Sequence, residues 1–168
     1  MSFFQHKKSA PERVKTAILT VSTTRTKETD TSGKWMIKAN KKEGHLLTAY
    51  RIVPDDVYQI KQAVLGILND ITPDAIIVSG GTGIADADVT IEAIKPLFRK
   101  ELTSFGPIYA QLSFSEIESS AILSRSTAGI IDDTVVFCIP GSLNACKLAC
   151  MELIFPELGH IVKHLRTG

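Results

Sequence analysis

Almost no excess of charge exists in this sequence. Nineteen lysines and arginines face 18 aspartates and glutamates, a formal balance of +1. That removes the basic footprint expected of a protein that binds nucleic acid or an anionic membrane surface. No apolar run approaches the ~20 residues that a bilayer span needs. The N-terminus, "MSFFQHKKSAPERVK", lacks the continuous apolar segment of a secretion signal. These absences predict a cytoplasmic chain with neither membrane nor nucleic acid as partner. Cysteine is scarce and odd in number: Cys138, Cys146 and Cys150 imply no disulfide framework. Cys146 and Cys150 stand four apart but bring no further metal ligand, so they read as small buried hydrophobes. His160 and His164 repeat that spacing without a third ligand and read as a solvated helix face. There is no GxxxxGK[ST] segment, which excludes a P-loop, and no internal repeat.

What is present is globular. Hydrophobic residues make up 44% and charged residues 22% of 168, enough for one well-filled core. Residues 1–12 read as a flexible tail and 13–168 as a single domain. "VKTAILTV" (14–21), "HLLTAYRIV" (45–53) and "DAIIVSG" (74–80) are short apolar runs that read as buried strands. Between them, 33–44 and 55–70 carry helical spacing, the second opened by Asp56 with Gln59 as a capping pair. Lys34, Lys38, Lys41 and Lys42 fall on one solvated face of the first helix. The stretch from 89 to about 123 reads as mostly helical, interrupted at Pro96 and Pro107. In "STAGIIDDTVVFCIPGS" (126–142) two apolar runs flank Asp132-Asp133, a two-residue hairpin turn. Two helices close the chain. Alternating strands and helices predict an α/β fold: three layers, α/β/α, with a mostly parallel sheet and one antiparallel strand.

In such sheets ligands bind beyond the carboxyl ends of the strands. Five segments converge there: Ser22–Arg25, Pro54–Asp56, Ser79–Glu92, Ser124-Arg125 and Pro140–Ser142. The third, "SGGTGIADADVTIEA" (79–93), packs three glycines into four positions before Asp86, Asp88, Thr90 and Glu92. It lacks the third glycine of the dinucleotide fingerprint. A tight turn explains one or two glycines, whereas three point to close approach by a ligand. Asp88 has two compatible readings, a helix cap and a functional carboxylate. Glycine amides cradle a phosphate, and carboxylates beside it are tolerated when Mg²⁺ sits between them. The combination points to metal-assisted phosphoryl or nucleotidyl transfer.

Taken in order, "VSTTR" with "DTSG" (21–33), "GH" with "RIVPDD" (44–56), "SGGTG…DVTIEA" (79–93), "FG…LSFSEI" (105–117), "ILSR…AG" (122–129) and "IPGS" (139–142) resemble the MoaB/MogA family. These are the molybdopterin adenylyltransferases of molybdenum-cofactor biosynthesis, and the MoaB branch is the more similar. The resemblance spans residues 14 to 155. It implies a homotrimer or homohexamer, Mg²⁺ as cofactor, and molybdopterin and ATP as partners, with AMP passed to the terminal phosphate of molybdopterin. It implies Asp55 and Asp88 as the catalytic, metal-holding pair. It implies a substrate- and nucleotide-binding cleft formed by Ser22, Asp30, Ser32, Gly33, Ser79, Gly80, Gly81, Thr82, Gly83, Thr90, Glu92, Ser124, Arg125, Pro140, Gly141 and Ser142. Two positions depart from the pattern: Ala87 and Ala110 stand where the family often has arginine. The alternative reading is therefore a catalytically weak molybdopterin-binding or scaffold protein of the same pathway.

Overall fold

The structure is a computed structural model that describes residues 13–167 together with Pro11. The expected tail, residues 1–12, lies outside the described residues apart from Pro11. Six strands form one sheet: β1 (Lys15–Val21), β2 (Leu46–Val53), β3 (Ala75–Ser79), β4 (Lys100–Glu101), β5 (Thr127–Ile131) and β6 (Thr134–Ile139). Their order is β2-β1-β3-β6-β5-β4. β1 pairs in parallel with β2 and β3, and β3 with β6. β5 runs antiparallel to both β6 and β4, the one reversed strand expected. The β5–β6 turn falls on Asp132-Asp133, with Asp132 at φ 51°.

Helices cover both faces because the central strands are apolar on both. On one face Ile18, Ile77, Val135 and Phe137 pack beneath Met36 of α1 (Thr31–Lys42) and Phe105 and Tyr109 of α4 (Phe105–Ile117). The C-terminal helices α5 (Leu143–Leu148) and α6 (Phe155–Thr167) complete that layer through Cys146, Leu158 and Val162. On the other face Leu19, Ile76 and Val78 pack beneath Ile60, Val64 and Ile67 of α2 (Val57–Ile71) and Ile94 of α3 (Thr90–Ile94). Each of those fully buried aliphatic side chains contributes about 1.5–3 kcal/mol.

Several boundaries differ from the sequence reading. α1 begins at Thr31, two residues early, because the Asp30 carboxylate caps it by accepting from Gly33 N. Asp56 caps α2 as expected, accepting from Gln59 N. β4 is a strand inside a stretch read as helical; it holds only Lys100 and Glu101, both exposed, and so carries no apolar period. Pro107 sits in the first turn of α4 and does not interrupt it. The closing helices are one continuous run through a wide π turn at Ala149–Ile154. His160 and His164 do not simply face solvent, since their Nε2 atoms lie 2.9 Å apart.

The sheet fixes where a site can form. β1 leads to β2 on one side, whereas β3 leaves on the other side of β1. The loops after β1 and β3 therefore diverge, opening a crevice between them at the carboxyl edge.

Candidate functional site

The glycine loop departs from Ser79 into this crevice. Gly80 (φ 100°) and Gly81 (φ 62°) both occupy the left-handed region, which a side chain disfavours. A Cβ on Gly80 would run into Val21 O, and one on Gly81 into Thr90 Oγ1 and within 3.2 Å of Asp55 Oδ1. Gly83 has a different reason: its missing Cβ leaves room for Asp88 Oδ2, 2.6 Å from where that atom would lie. Thr90, fully buried, ties the loop back by donating Oγ1 to Gly80 O (2.7 Å) and its N to Gly81 O (2.9 Å).

Asp55 and Asp88 flank this loop. Both the N and Oγ1 of Thr23 donate to Asp55 Oδ2 at 2.8 Å, which orients the carboxylate at the end of β2. Asp88 Oδ2 accepts from Ala85 N at 2.9 Å and closes a turn. It is not the cap of α3, where Val89 holds that position without a side-chain bond. In each carboxylate the second oxygen, Oδ1, has no hydrogen bond among the described residues. No group of three or more His, Cys, Asp or Glu among the described residues is placed to hold a metal ion by itself. Mg²⁺ does not require one, since it is commonly held by one or two carboxylates, waters and substrate phosphates. Asp55 Oδ1 and Asp88 Oδ1, uncommitted and beside the glycine loop, are the hard oxygen donors this site offers such an ion.

Arg125 staples the loop from the far side. Its Nε donates to Thr82 O (3.2 Å) and Gly83 O (2.9 Å), its Nη2 to Asp88 O (3.0 Å), and its fork grips Glu92. The Arg125 bond is the main cause holding the Glu92 carboxyl below its usual range. A cavity of about 400 Å³ lies against this group, lined by Gly83, Ile84, Asp86, Asp88, Glu92 and Arg125.

Behind the loop lies a buried polar knot. Asp30 is wholly buried, and Thr20 Oγ1 (2.6 Å), Tyr50 Oη (2.7 Å) and Gly33 N (2.9 Å) donate to it. Burial raises its pKa, but those three bonds and the Arg25 guanidinium 3.5 Å away outweigh this and hold it low. Burial, and after it the bond to Asp30, push the Tyr50 phenol the other way, well above its ordinary value. Ser32 Oγ donates to Gly141 O at 2.8 Å, and Arg25 Nη1 to the same oxygen at 3.0 Å. A Cβ on Gly141 would come within 2.9 Å of Gly80 Cα, so the Pro140-Gly141-Ser142 turn is pressed against the glycine loop. Ser142 caps α5 by accepting from Ala145 N. A small cavity of about 70 Å³ separates Ser124, Pro140 and Ser142 from Tyr109 and Ser113 of α4.

The residues expected to form the cleft thus divide in two. Ser22, Asp55, Gly81, Gly83, Asp88, Glu92, Ser124, Arg125, Pro140, Gly141 and Ser142 stand at the rim, none of them buried. Asp30, Ser32, Gly33, Ser79, Gly80, Thr82 and Thr90 are buried beneath it and hold its loops in place. Thr23 and Arg25 escaped the list of individual cleft residues, although both stand in the rim segment after β1. A hydroxyl and a cation in the segment that leaves a strand's carboxyl end were the available signals. Lys95 and Arg99 do not bond the loop: one pairs with Glu101 and the other donates to Asp132 O.

Residues 17–160 match the family described as "Probable molybdopterin binding domain". Over 167 residues the chain is 52% identical to molybdenum cofactor biosynthesis protein B of Bacillus subtilis, covering 99% of this chain and 98% of that protein. It is 41% identical over 172 residues to a Pyrococcus furiosus protein named molybdopterin adenylyltransferase, covering 99% of each. A crystal structure of a molybdenum cofactor biosynthesis protein B superposes with a TM-score of 0.91 at 46% identity, covering 95% of this chain and 100% of that one. With its sheet order, its glycine loop and this end-to-end likeness, the chain belongs to the MoaB/MogA family of molybdenum cofactor biosynthesis proteins.

Proposed function

We propose that this chain transfers AMP from ATP to the terminal phosphate of molybdopterin in molybdenum cofactor biosynthesis, with Mg²⁺ bound by Asp55 and Asp88. The observation that carries the reading is the pairing of a glycine cradle with two pre-oriented carboxylates, each keeping one oxygen uncommitted. A molybdopterin phosphate oxygen attacks the α-phosphorus of ATP, the bond from that phosphorus to the bridging α–β oxygen breaks, and pyrophosphate leaves. The chain's part is positioning: loop amides beyond Gly80, whose own N–H donates to Ile139 O, would receive the phosphates, and Arg125 and Thr90 hold the loop in shape. A bound Mg²⁺ supplies charge neutralisation for the anionic groups in line. The names carried by relatives, molybdenum cofactor biosynthesis protein B and molybdopterin adenylyltransferase, support the same chemistry.

The reading includes a homo-oligomer, trimer or hexamer. Its support is an apolar surface on α4 and the turn after it, where Phe114 is 60% and Ile122 83% exposed, beside Ile117 and Leu123. Sedimentation of the purified chain reads this directly, and a monomer removes that part of the proposal. A second reading, a pterin-binding protein of low activity, draws on Ala87 and Ala110 and on Arg125, whose donors are spent on the protein itself. Incubation with molybdopterin, ATP and Mg²⁺ separates the two. Adenylylated molybdopterin supports transfer, and pterin binding without product supports the second.

A further inference from the structure

Two guanidinium groups stand at the rim of the cleft, and they differ in how many donors they have left. Arg125 spends Nε, Nη1 and Nη2 on loop carbonyls and Glu92. Arg25 spends only Nη1, on Gly141 O at 3.0 Å with Asp30 at 3.5 Å. Among the described residues its Nε and Nη2 have no acceptor. The side chain is 30% exposed, which leaves those donors reachable. It is also held still, because the buried Asp30 carboxylate is fixed by β1, β2 and α1.

Arg25 faces a cavity of about 340 Å³, separate from the one against Arg125 and lined also by Ser22, Thr23, Thr26, Lys27 and Pro54. Thr23 in that wall is the residue that orients Asp55. An edge of a guanidinium carrying Nε–H and Nη2–H matches two oxygens of one phosphate.

We propose that Arg25 binds a phosphate of the substrate in this cavity, through the fork formed by Nε and Nη2, on the Asp55 side of the glycine loop. The inference rests on the adenylyl-transfer reading above for the identity of the phosphate. An arginine with one edge anchored to protein and the other open needs no reorganisation when the ligand arrives. Lysine in its place keeps the charge beside Asp30 and loses the fork.

Calorimetry in Mg²⁺ tests this, with ATP and molybdopterin as separate titrants against wild type, Arg25→Gln, Arg25→Lys and Lys27→Gln. A charge-assisted pair contributes about 1.5–3 kcal/mol, so Kd for one of the two ligands should rise about tenfold or more in Arg25→Gln. Arg25→Lys should recover part of that loss, and Lys27→Gln, which removes a cation without a fork from the same wall, should weaken binding less than Arg25→Gln does. The ligand that weakens identifies which phosphate sits there. If Arg25→Gln unfolds, Arg25→Lys alone carries the test, and wild-type affinity in it for both ligands overturns the proposal. A loss confined to Lys27→Gln overturns it too. Wild-type protein that binds neither ligand overturns the adenylyl-transfer reading, and this inference with it.

Discussion

Gly81 shows how much a single residue decides at this rim. Its φ of 62° and the nearness of Thr90 Oγ1 and Asp55 Oδ1 leave no room for a methyl group. Gly81→Ala should therefore lower stability by about 1–2 kcal/mol from backbone strain alone, measured as a shift of the urea midpoint. It should also weaken ATP binding by more than the strain explains, because the methyl displaces Asp55. A variant with wild-type affinity for ATP would show that the loop is a turn and nothing more. The excess of glycines was legible in the sequence, whereas the separate reasons for each were not. Two relieve left-handed strain, and the third, Gly83, makes space for the carboxylate of Asp88. Arg125 was the converse case. Its residue type suggested a ligand contact, but partners follow from tertiary placement, and here they are carbonyls of the loop it clamps.

Among the elements, the junction of β1, β2 and α1 depends on one buried carboxylate. Asp30 accepts from Thr20 of β1, Tyr50 of β2 and Gly33 of α1, and through Arg25 it steadies the turn at Gly141. Asp30→Asn retains the shape but offers one accepting oxygen where two were used. It should cost about 1–3 kcal/mol, the penalty of a buried polar group left unpaired, read by chemical denaturation. If stability is unchanged, the knot is not what holds these elements together. The long strands and α2 were readable because their apolar positions keep a period of two or 3.6. β4 was not, because two exposed residues have no period, and its existence depends on pairing with β5. The start of α1 was misplaced for want of weight on Asp30, three residues ahead of Gly33, the spacing of an N-cap to its third amide.

Across the whole molecule, stability responds to acid in two windows. His45 packs its ring 5.8 Å from Phe155, and its Nδ1 is buried without a partner among the described residues. Burial depresses its pKa below 6.5, opposed by Glu43. The unfolded chain then takes up the proton first. Stability from this residue is intact above pH 6.5 and declines as pH falls from there through the lowered folded value, by at most about 1.4 kcal/mol per pH unit. Asp30 and Glu92, whose pKa values are lowered, contribute stability present above 3.8 and 4.5 and lost as pH falls further. Urea midpoints between about pH 8 and about pH 5 should drop, and His45→Gln should flatten that slope. An equal slope in the variant would remove His45 as its cause. No helix among the described residues is long and apolar enough to cross a membrane. The account as a whole stands on Asp88 serving catalysis, now that it caps no helix. Asp88→Asn keeps an oxygen for Ala85 N but loses the anionic charge beside the cradle. Parallel measurement of the thermal midpoint and of adenylylated molybdopterin formed from ATP and Mg²⁺ tests it most directly. The prediction is a midpoint close to wild type with product formation abolished; an Asp88→Asn protein that turns over at the wild-type rate contradicts the mechanism.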